Sequence, residues 1–461
     1  MKLVRIMAML LLLVLVLPII ACNENDSAAT PTAPQVTSVP DITTVADATS
    51  ADTTAAATDS AADTTIDKGD DDDMPPKRNV IQHTDLKAMW LSQFDLNGIY
   101  TSSGNQRPKA DFEKKITKVL QNVKDMGFNT VFLQVRPNAD SMYPSDHYPM
   151  SKYVVGSYGK VADYDPVAMI VDEAHALGLS IHAWINPMRA MTTDEIKSVD
   201  DSFAIKKWYD GEEKGKYVVA YGKNYYLNPA YEEVRKLIVD GATEVLTKYA
   251  FDGLHMDDYF YPTKDESFDL AAYMEYKRNG GKLLLSEFRM AELNKLIAGL
   301  YAATKACDEG LVFGISPAGN INNVRGAYAD VDTWCAKDGY IDYICPQVYF
   351  GLEHQSYGFK SVCQTWKNII KNDKVDLIIG MTFGKALSKE DQWAGSGKDE
   401  WKNNRDVLKR CLEHTEQVQK CTGIAVFCYQ YFYVPTTGAK VGETAQEVAN
   451  FLPVLKEISW K

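Results

Sequence analysis

The order of apolar and polar positions sets the first expectation. From about residue 87 to the end, short runs of nearly continuous apolar residues alternate with stretches in which apolar residues recur every three or four positions. The short runs read as buried strands, the others as amphipathic helices. Strands are expected at Lys87–Leu96, Thr130–Pro137, Ser180–Pro187, Gly253–Phe260, Leu311–Ala318, Ile341–Phe350, Asp376–Phe383 and Gly423–Phe432. Helices are expected between them at Lys109–Met126, Pro166–Leu177, Tyr231–Tyr249, Ser286–Cys307, Gly326–Lys337, Tyr357–Lys371 and Trp401–Lys420, with Glu443–Leu455 closing the chain. Eight strand–helix units predict an α/β fold, a (β/α)8 TIM barrel. A doubly wound open sheet is the alternative. It calls for a glycine-rich phosphate turn after the first strand, where Gln93-Phe94-Asp95-Leu96-Asn97 stands instead. The stretch from Arg189 to Asn228 is too long for a plain loop and predicts a lid or small subdomain inserted after the third strand.

The amino-terminal part has a different pattern. Lys2 and Arg5 precede an apolar run, Ile6 to Ile20, and then Ala21 and Cys22. The run is short for a membrane span and has the form of an export signal. Ile19-Ile20-Ala21-Cys22 resembles a bacterial lipobox, which implies cleavage before Cys22 and a diacylglycerol on its thiol. A plain secretory signal or an uncleaved anchor is the other reading. The next residues are rich in Thr, Ala, Asp and Ser and end in Asp70-Asp71-Asp72-Asp73. They hold too little apolar surface to offset the entropy of ordering and read as a self-repelling tether. The expected organisation is a lipoprotein signal over residues 1–21, a disordered tether over 22–77 and one catalytic domain over 78–461.

Charge follows this division. Between Cys22 and Pro76 there are twelve acidic residues and one lysine. From Lys77 onward there are 46 basic and 50 acidic residues, so the folded part is near balance. A nucleic-acid partner would call for a basic excess, and none is seen. Beyond Cys22 the cysteines are Cys307, Cys335, Cys345, Cys363, Cys411, Cys421 and Cys428. Seven cannot all pair, and none forms a CxxC, so neither a disulfide framework nor a structural zinc site is implied. Cys345 and Cys428 fall within apolar strand runs and read as buried thiols.

In such a barrel the chemistry is expected at the carboxyl ends of the strands, where polar residues collect here. The first strand ends in Gln93, Asp95 and Asn97, and the second in Gln134, Arg136 and Asn138, with Asp140 beyond. The third carries His182, Trp184 and Asn186; the fourth reads His255-Met256-Asp257-Asp258-Tyr259. Ser316 closes the fifth strand, Gln347 and Tyr349 the sixth, and Gln430 the eighth. Residues two apart on a strand share a face, so Gln134 should point with Arg136, and His255 with Asp257. Trp90, Trp184, Tyr259, Phe260, Tyr261, Tyr349, Phe350, Tyr431 and Tyr433 lie near the same ends and suit the apolar face of a sugar ring. A polysaccharide or oligosaccharide is the expected partner, with no cofactor and no metal.

These segments resemble those of the glycosyl hydrolase-like family 10. The resemblance is carried by Phe128 to Asp140, by His182-Ala183-Trp184-Ile185-Asn186-Pro187, by Asp252 to Pro262, by Gly314-Ile315-Ser316-Pro317 and by Asp342 to Tyr349, in that order. It implies an exported (β/α)8 hydrolase, in a family of which some members act on bacterial cell-wall glycan. Glycoside hydrolysis by acid–base chemistry needs two carboxyl groups. Asp257 is the first choice for nucleophile or base, held ionised by His255. Asp258 should point the other way on a regular strand unless a bulge exchanges the two. The acid is expected to be Asp140, with Asp95 the other choice; Glu353 lies beyond the end of the sixth strand. Two other readings are a glycan-binding lipoprotein without a competent acid, and a metal-dependent hydrolase, for which the first strand lacks a His-x-His.

Overall fold

In the computed structural model, which describes residues 78–460, the eight parallel strands close into a barrel. They are β1 (Leu86–Leu91), β2 (Thr130–Arg136), β3 (Ser180–Ile185), β4 (Gly253–Met256), β5 (Val312–Ile315), β6 (Tyr343–Ile344), β7 (Asp376–Thr382) and β8 (Cys421–Phe427). Neighbours in sequence are neighbours in the sheet, and β1 pairs with both β2 and β8. The expected signal, Cys22 and the tether lie outside the described residues.

Helices fill the crossovers: α1 (Lys109–Asp125), α2 (Pro166–Ala176), α3 (Glu232–Lys248), α4 (Leu285–Cys307), α5 (Val331–Trp334), α6 (Phe359–Ile369), α7 (Val407–Thr415) and α8 (Ala445–Glu457). In α1 the buried residues Phe112, Ile116, Val119, Leu120 and Val123 recur at helical spacing and form one face against the barrel. Asp165 starts α2 by accepting from the Val167 and Ala168 backbone N–H groups, and Pro166 occupies the first helical position. The turns from α1 into β2 and from α2 into β3 pass through Gly127 and Gly178 at φ +99° and +71°, backbone that suits glycine.

Every strand stops before the end that the sequence pattern suggested; β5 and β6 also start one and two residues later than expected, and β8 two residues earlier. β1 stops at Leu91. Ser92 then caps a helix over Gln93–Tyr100, with Asp95 reaching back to the Ser92 N–H as a capping box. Gln93, Asp95 and Asn97 therefore sit on a helical turn and do not prolong the strand. Fourth-strand pairing stops at Met256, so Asp257 and Asp258 follow the strand rather than belong to it. The insertion after β3 carries a three-stranded antiparallel sheet of Arg189–Thr192, Asn224–Leu227 and Val218–Tyr221. All seven cysteines of the described residues are free thiols, and all but Cys307 are buried.

At the amino end of the barrel the chain enters by a pinned segment. The Ile81 N–H donates to Asp252 at 2.7 Å, and the other Asp252 oxygen meets the Ile181 N–H at 2.8 Å and His175 at 2.9 Å. The polypeptide therefore joins the domain on the face opposite the carboxyl ends of the strands.

Candidate active site

The barrel interior is built from rings. Phe132 of β2 stacks on His255 of β4 with centroids 4.1 Å apart, and Trp90 meets His255 edge-on at 5.7 Å. Gly314 on β5 leaves room for the Tyr343 ring, which a Cβ at that position would overlap at 2.0 Å. The Tyr343 hydroxyl then lies 3.0 Å from His182 Nδ1 and 2.9 Å from His255 Nδ1. Indole N–H groups only donate, so Trp90 Nε1, 3.2 Å from His255 Nε2, makes that nitrogen an acceptor. The His255 proton is then on Nδ1 and goes to the Tyr343 oxygen, whose own proton goes to His182 Nδ1. Both imidazoles are neutral. Burial lowers the His182 pKa to about 4 and holds His255 well below the usual histidine range.

Above this layer, a relay of amides ends on Asp257. The Gln93 N–H donates to Gln134 Oε1 at 2.8 Å, which fixes the Gln134 amide orientation. Gln134 Nε2 donates to Asn186 Oδ1 at 2.7 Å, and Asn186 Nδ2 donates in turn to Asp257 Oδ2. Trp184 Nε1 reaches the same oxygen at 3.1 Å, while the Tyr259 backbone N–H reaches Oδ1 at 3.4 Å. Asp257 is 3% exposed, so these donors take the place of most of its hydration. Each donor is itself held, which gives the carboxyl a fixed position.

Asp258 is half-buried and hydrogen-bonds to the Gln347 amide of the sixth strand's end. Gln347 Nε2 is also 3.0 Å from the Ser316 carbonyl oxygen. Burial pushes both carboxyls above the usual carboxylate range, and for Asp257 the charge of Asp258 adds to it. Arg189, from the inserted sheet, opposes both shifts. Its Nε donates to the Pro137 carbonyl at 3.0 Å, and its guanidinium lies 4.3 Å over the Tyr259 ring. The segment that follows Asp257 and Asp258 is anchored by Arg289, fully buried, whose guanidinium grips the Asp269 carboxylate and donates to the Lys264 and Asp265 carbonyls.

Two adjacent carboxyls, one held by three N–H donors and the other half-open, at the carboxyl end of β4, are the chemistry this pocket offers. Residues 85–413 match the family described as Glycosyl hydrolase-like 10. The chain belongs to the glycosyl hydrolase-like 10 family. Glycosyl hydrolase YngK of Bacillus subtilis (strain 168) is 33% identical over 338 residues, 69% of this chain and 64% of that protein. The match thus spans just under two thirds of YngK. Glycosyl hydrolase DigH of Escherichia coli (strain K12) is 27% identical over 391 residues, covering 79% of this chain and 87% of DigH. Among solved structures, the PgaB (BpsB) glycoside hydrolase domain from Bordetella bronchiseptica aligns with a TM-score of 0.48 and 13% identity, covering 74% of this chain and 94% of that one.

Within this glycosyl hydrolase-like 10 pocket, several expected site residues sit elsewhere. Arg136 does not point with Gln134. Pairing between β2 and β3 slips between those two positions, and this bulge turns Arg136 out of the barrel. It lies 4.7 Å over the Tyr148 ring and bonds that hydroxyl, next to α3. His182, His255 and Ser316 are buried under the pocket; His255 bonds Ser316 Oγ at 3.0 Å and does not hold Asp257. Trp184 and Asn186 do that instead. Gln134 acts only through Asn186. Asn138 belongs to the loop of Asp140, giving its N–H to that carboxyl at 2.8 Å.

The two alternative carboxylates are also committed to structure. Asp140 is 0% exposed; besides Asn138, the Tyr158 hydroxyl donates to it at 2.9 Å and Ser151 bonds it. No face of that carboxyl is open to protonate a glycosidic oxygen. Asp95 accepts from Ser92 at one oxygen and from the Gln430 N–H at 2.7 Å at the other, tying the end of β1 to the end of β8; burial raises its pKa to about 6. Of the aromatics, Trp90, Phe260 and Tyr261 are core residues, whereas Tyr259 is 39% exposed and Tyr349 and Phe350 are half-buried. Arg189 was not singled out from the sequence, where a lone arginine inside an insertion gives no periodic or motif signal.

Proposed function

We propose that this protein is an extracytoplasmic glycoside hydrolase that cleaves O-glycosidic bonds in a polysaccharide, with peptidoglycan glycan strands as its first candidate substrate. The observation that carries this reading is the Asp257–Asp258 pair. Burial raises the proton affinity of both carboxyls, and the charge of Asp258 pushes Asp257 further, up to about 8, so the pair can hold a proton that separate aspartates in water would lose. In the unliganded site burial and the charge of Asp258 push the Asp257 carboxyl up to about 8; during the reaction its three N–H donors, from Trp184, Asn186 and Tyr259, are what can hold it ionised as Asp258 gives up a proton. Asp258, bonded to the Gln347 amide and to its own backbone N–H but only half-buried, is the member that can hand a proton to a leaving oxygen. The ionised Asp257 then stabilises the positive charge that develops at the anomeric carbon, directly or through water. The names of YngK and DigH support the same class of reaction.

The test is turnover of purified glycan strands and other polysaccharides by the chelator-treated protein, read as new reducing ends. The expected result is release that the chelator does not abolish. Tight glycan binding without turnover on every polymer tried would leave a glycan-binding protein in place of an enzyme.

The location rests on Cys22, which closes the apolar run. A lipid there would hold the domain at the outer face of the membrane through the tether. Cys22→Ser is expected to remove lipid labelling and to release the protein from the membrane fraction. Unchanged labelling in that variant would rule the anchor out.

A further inference from the structure

We propose that Arg189 is a positioning residue of the Asp257–Asp258 pair, the counter-charge that keeps one of the two carboxyls ionised without binding either. The inference rests on the reading of that pair as the reacting centre. Desolvation of two adjacent carboxyls, one buried and one half-buried, pushes both toward the protonated form, and a nearby positive charge opposes that push. Arg189 comes from outside the barrel, on the first strand of the inserted sheet, where it pairs with Tyr226. Its guanidinium is held by the Pro137 carbonyl at 3.0 Å and by the Tyr259 ring at 4.3 Å. Tyr259 follows the pair directly, and its backbone N–H is the third donor to Asp257. Among the described residues, Arg189 makes no direct ion pair.

That stand-off is the point. A bidentate contact would hold its partner fully ionised and remove the shared proton. A guanidinium set back from the carboxyls lowers the proton affinity of both by a moderate amount and leaves one proton in place. The other groups around the pair do not supply this charge. Trp184, Asn186 and Gln347 are neutral, the Tyr349 phenol is pushed well above its ordinary range by burial, and His255 beneath is neutral. Asp140 also feels Arg189, but its own oxygens are engaged by Asn138 and Tyr158. Lys152 is taken by Glu195.

The test is the titration of the pair in the unliganded full-length protein, followed by carboxyl-carbon NMR and assigned with Asp257→Asn and Asp258→Asn. Arg189→Gln is expected to move the midpoint up by about one pH unit or more, roughly tenfold in proton affinity. Arg189→Lys, which keeps the charge but loses the flat stacking, should restore at least half of that shift. A midpoint that stays within about 0.3 unit in Arg189→Gln, or that moves equally in the Gln and Lys variants, overturns the proposal. Should Arg189→Gln not fold, Tyr259→Leu loosens the guanidinium without removing it; a smaller upward shift is expected, and none would overturn the proposal. Because the titration needs no substrate, the two readings fail separately. A shifted midpoint in a protein without turnover counts against the hydrolase alone, and an unmoved midpoint in an active enzyme counts against Arg189 alone.

Discussion

Asp257→Asn should fold, bind glycan and lose hydrolysis by on the order of 10⁴-fold. The substitution leaves the volume of the side chain nearly unchanged. The new amide oxygen can still accept from Trp184 Nε1 and Asn186 Nδ2, so the relay from Gln93 through Gln134 keeps its end point. What is lost is the negative charge that faces the anomeric carbon. The same change removes a buried carboxyl whose ionisation is opposed by burial and by Asp258. The melting temperature is therefore expected to equal or exceed that of the unmutated protein, as is common where a reacting group is held at a cost to stability. Calorimetry together with reducing-end assays checks both halves. A lowered melting temperature with near-normal turnover would make Asp257 a structural residue.

Asp258→Asn is expected to slow hydrolysis by about 10²- to 10⁴-fold, in a manner that depends on the leaving group. Substrates with acidic leaving groups need little protonation and should be largely spared. The pH dependence separates the two aspartates. In the unmutated protein, activity should fall as pH rises through the raised upper pKa of the pair, because the acid then loses its proton. In Asp258→Asn that alkaline limb should disappear from kcat/KM, since no titrating acid remains. An unchanged pH profile in this variant would return the acid to some other group. Regular strand alternation puts Asp258 on the opposite face from Asp257. That reasoning extended strand alternation to residue 258, whereas pairing stops at Met256 and the backbone that follows is free to turn both carboxyls to the pocket.

The same error of extension explains most of what was not legible. Apolar and polar periodicity gave all eight strands and the crossover helices, because burial on both faces of a parallel barrel leaves a clear mark. Strand ends are less legible, because the polar residues that follow keep the two-residue alternation of a strand. At β1 a signal was present: Ser92-Gln93-Phe94-Asp95 has the spacing of a capping box, which puts Asp95 at the start of a helix. The slip between Gln134 and Arg136 left no trace in composition, and a single displaced residue sent a presumed ligand to the outer layer. That Trp184, Asn186 and Asp257 gather at one end of the barrel was legible, since the sequence puts polar side chains at the ends of the third and fourth strands. Their division of labour was not, because it depends on which of His255, Trp184 and Asn186 reaches the carboxyl. Arg189 enters from an insertion whose position relative to the barrel mouth only the fold defines.

The most direct test of the central claim is the structure of Asp257→Asn with an oligosaccharide of a cleaved polymer bound. The account predicts a sugar ring seated at the carboxyl end of β4, its anomeric carbon facing residue 257 and the glycosidic oxygen within hydrogen-bond reach of Asp258. A glycan bound with its glycosidic oxygens directed to other carboxylates, or away from the end of β4, would contradict it.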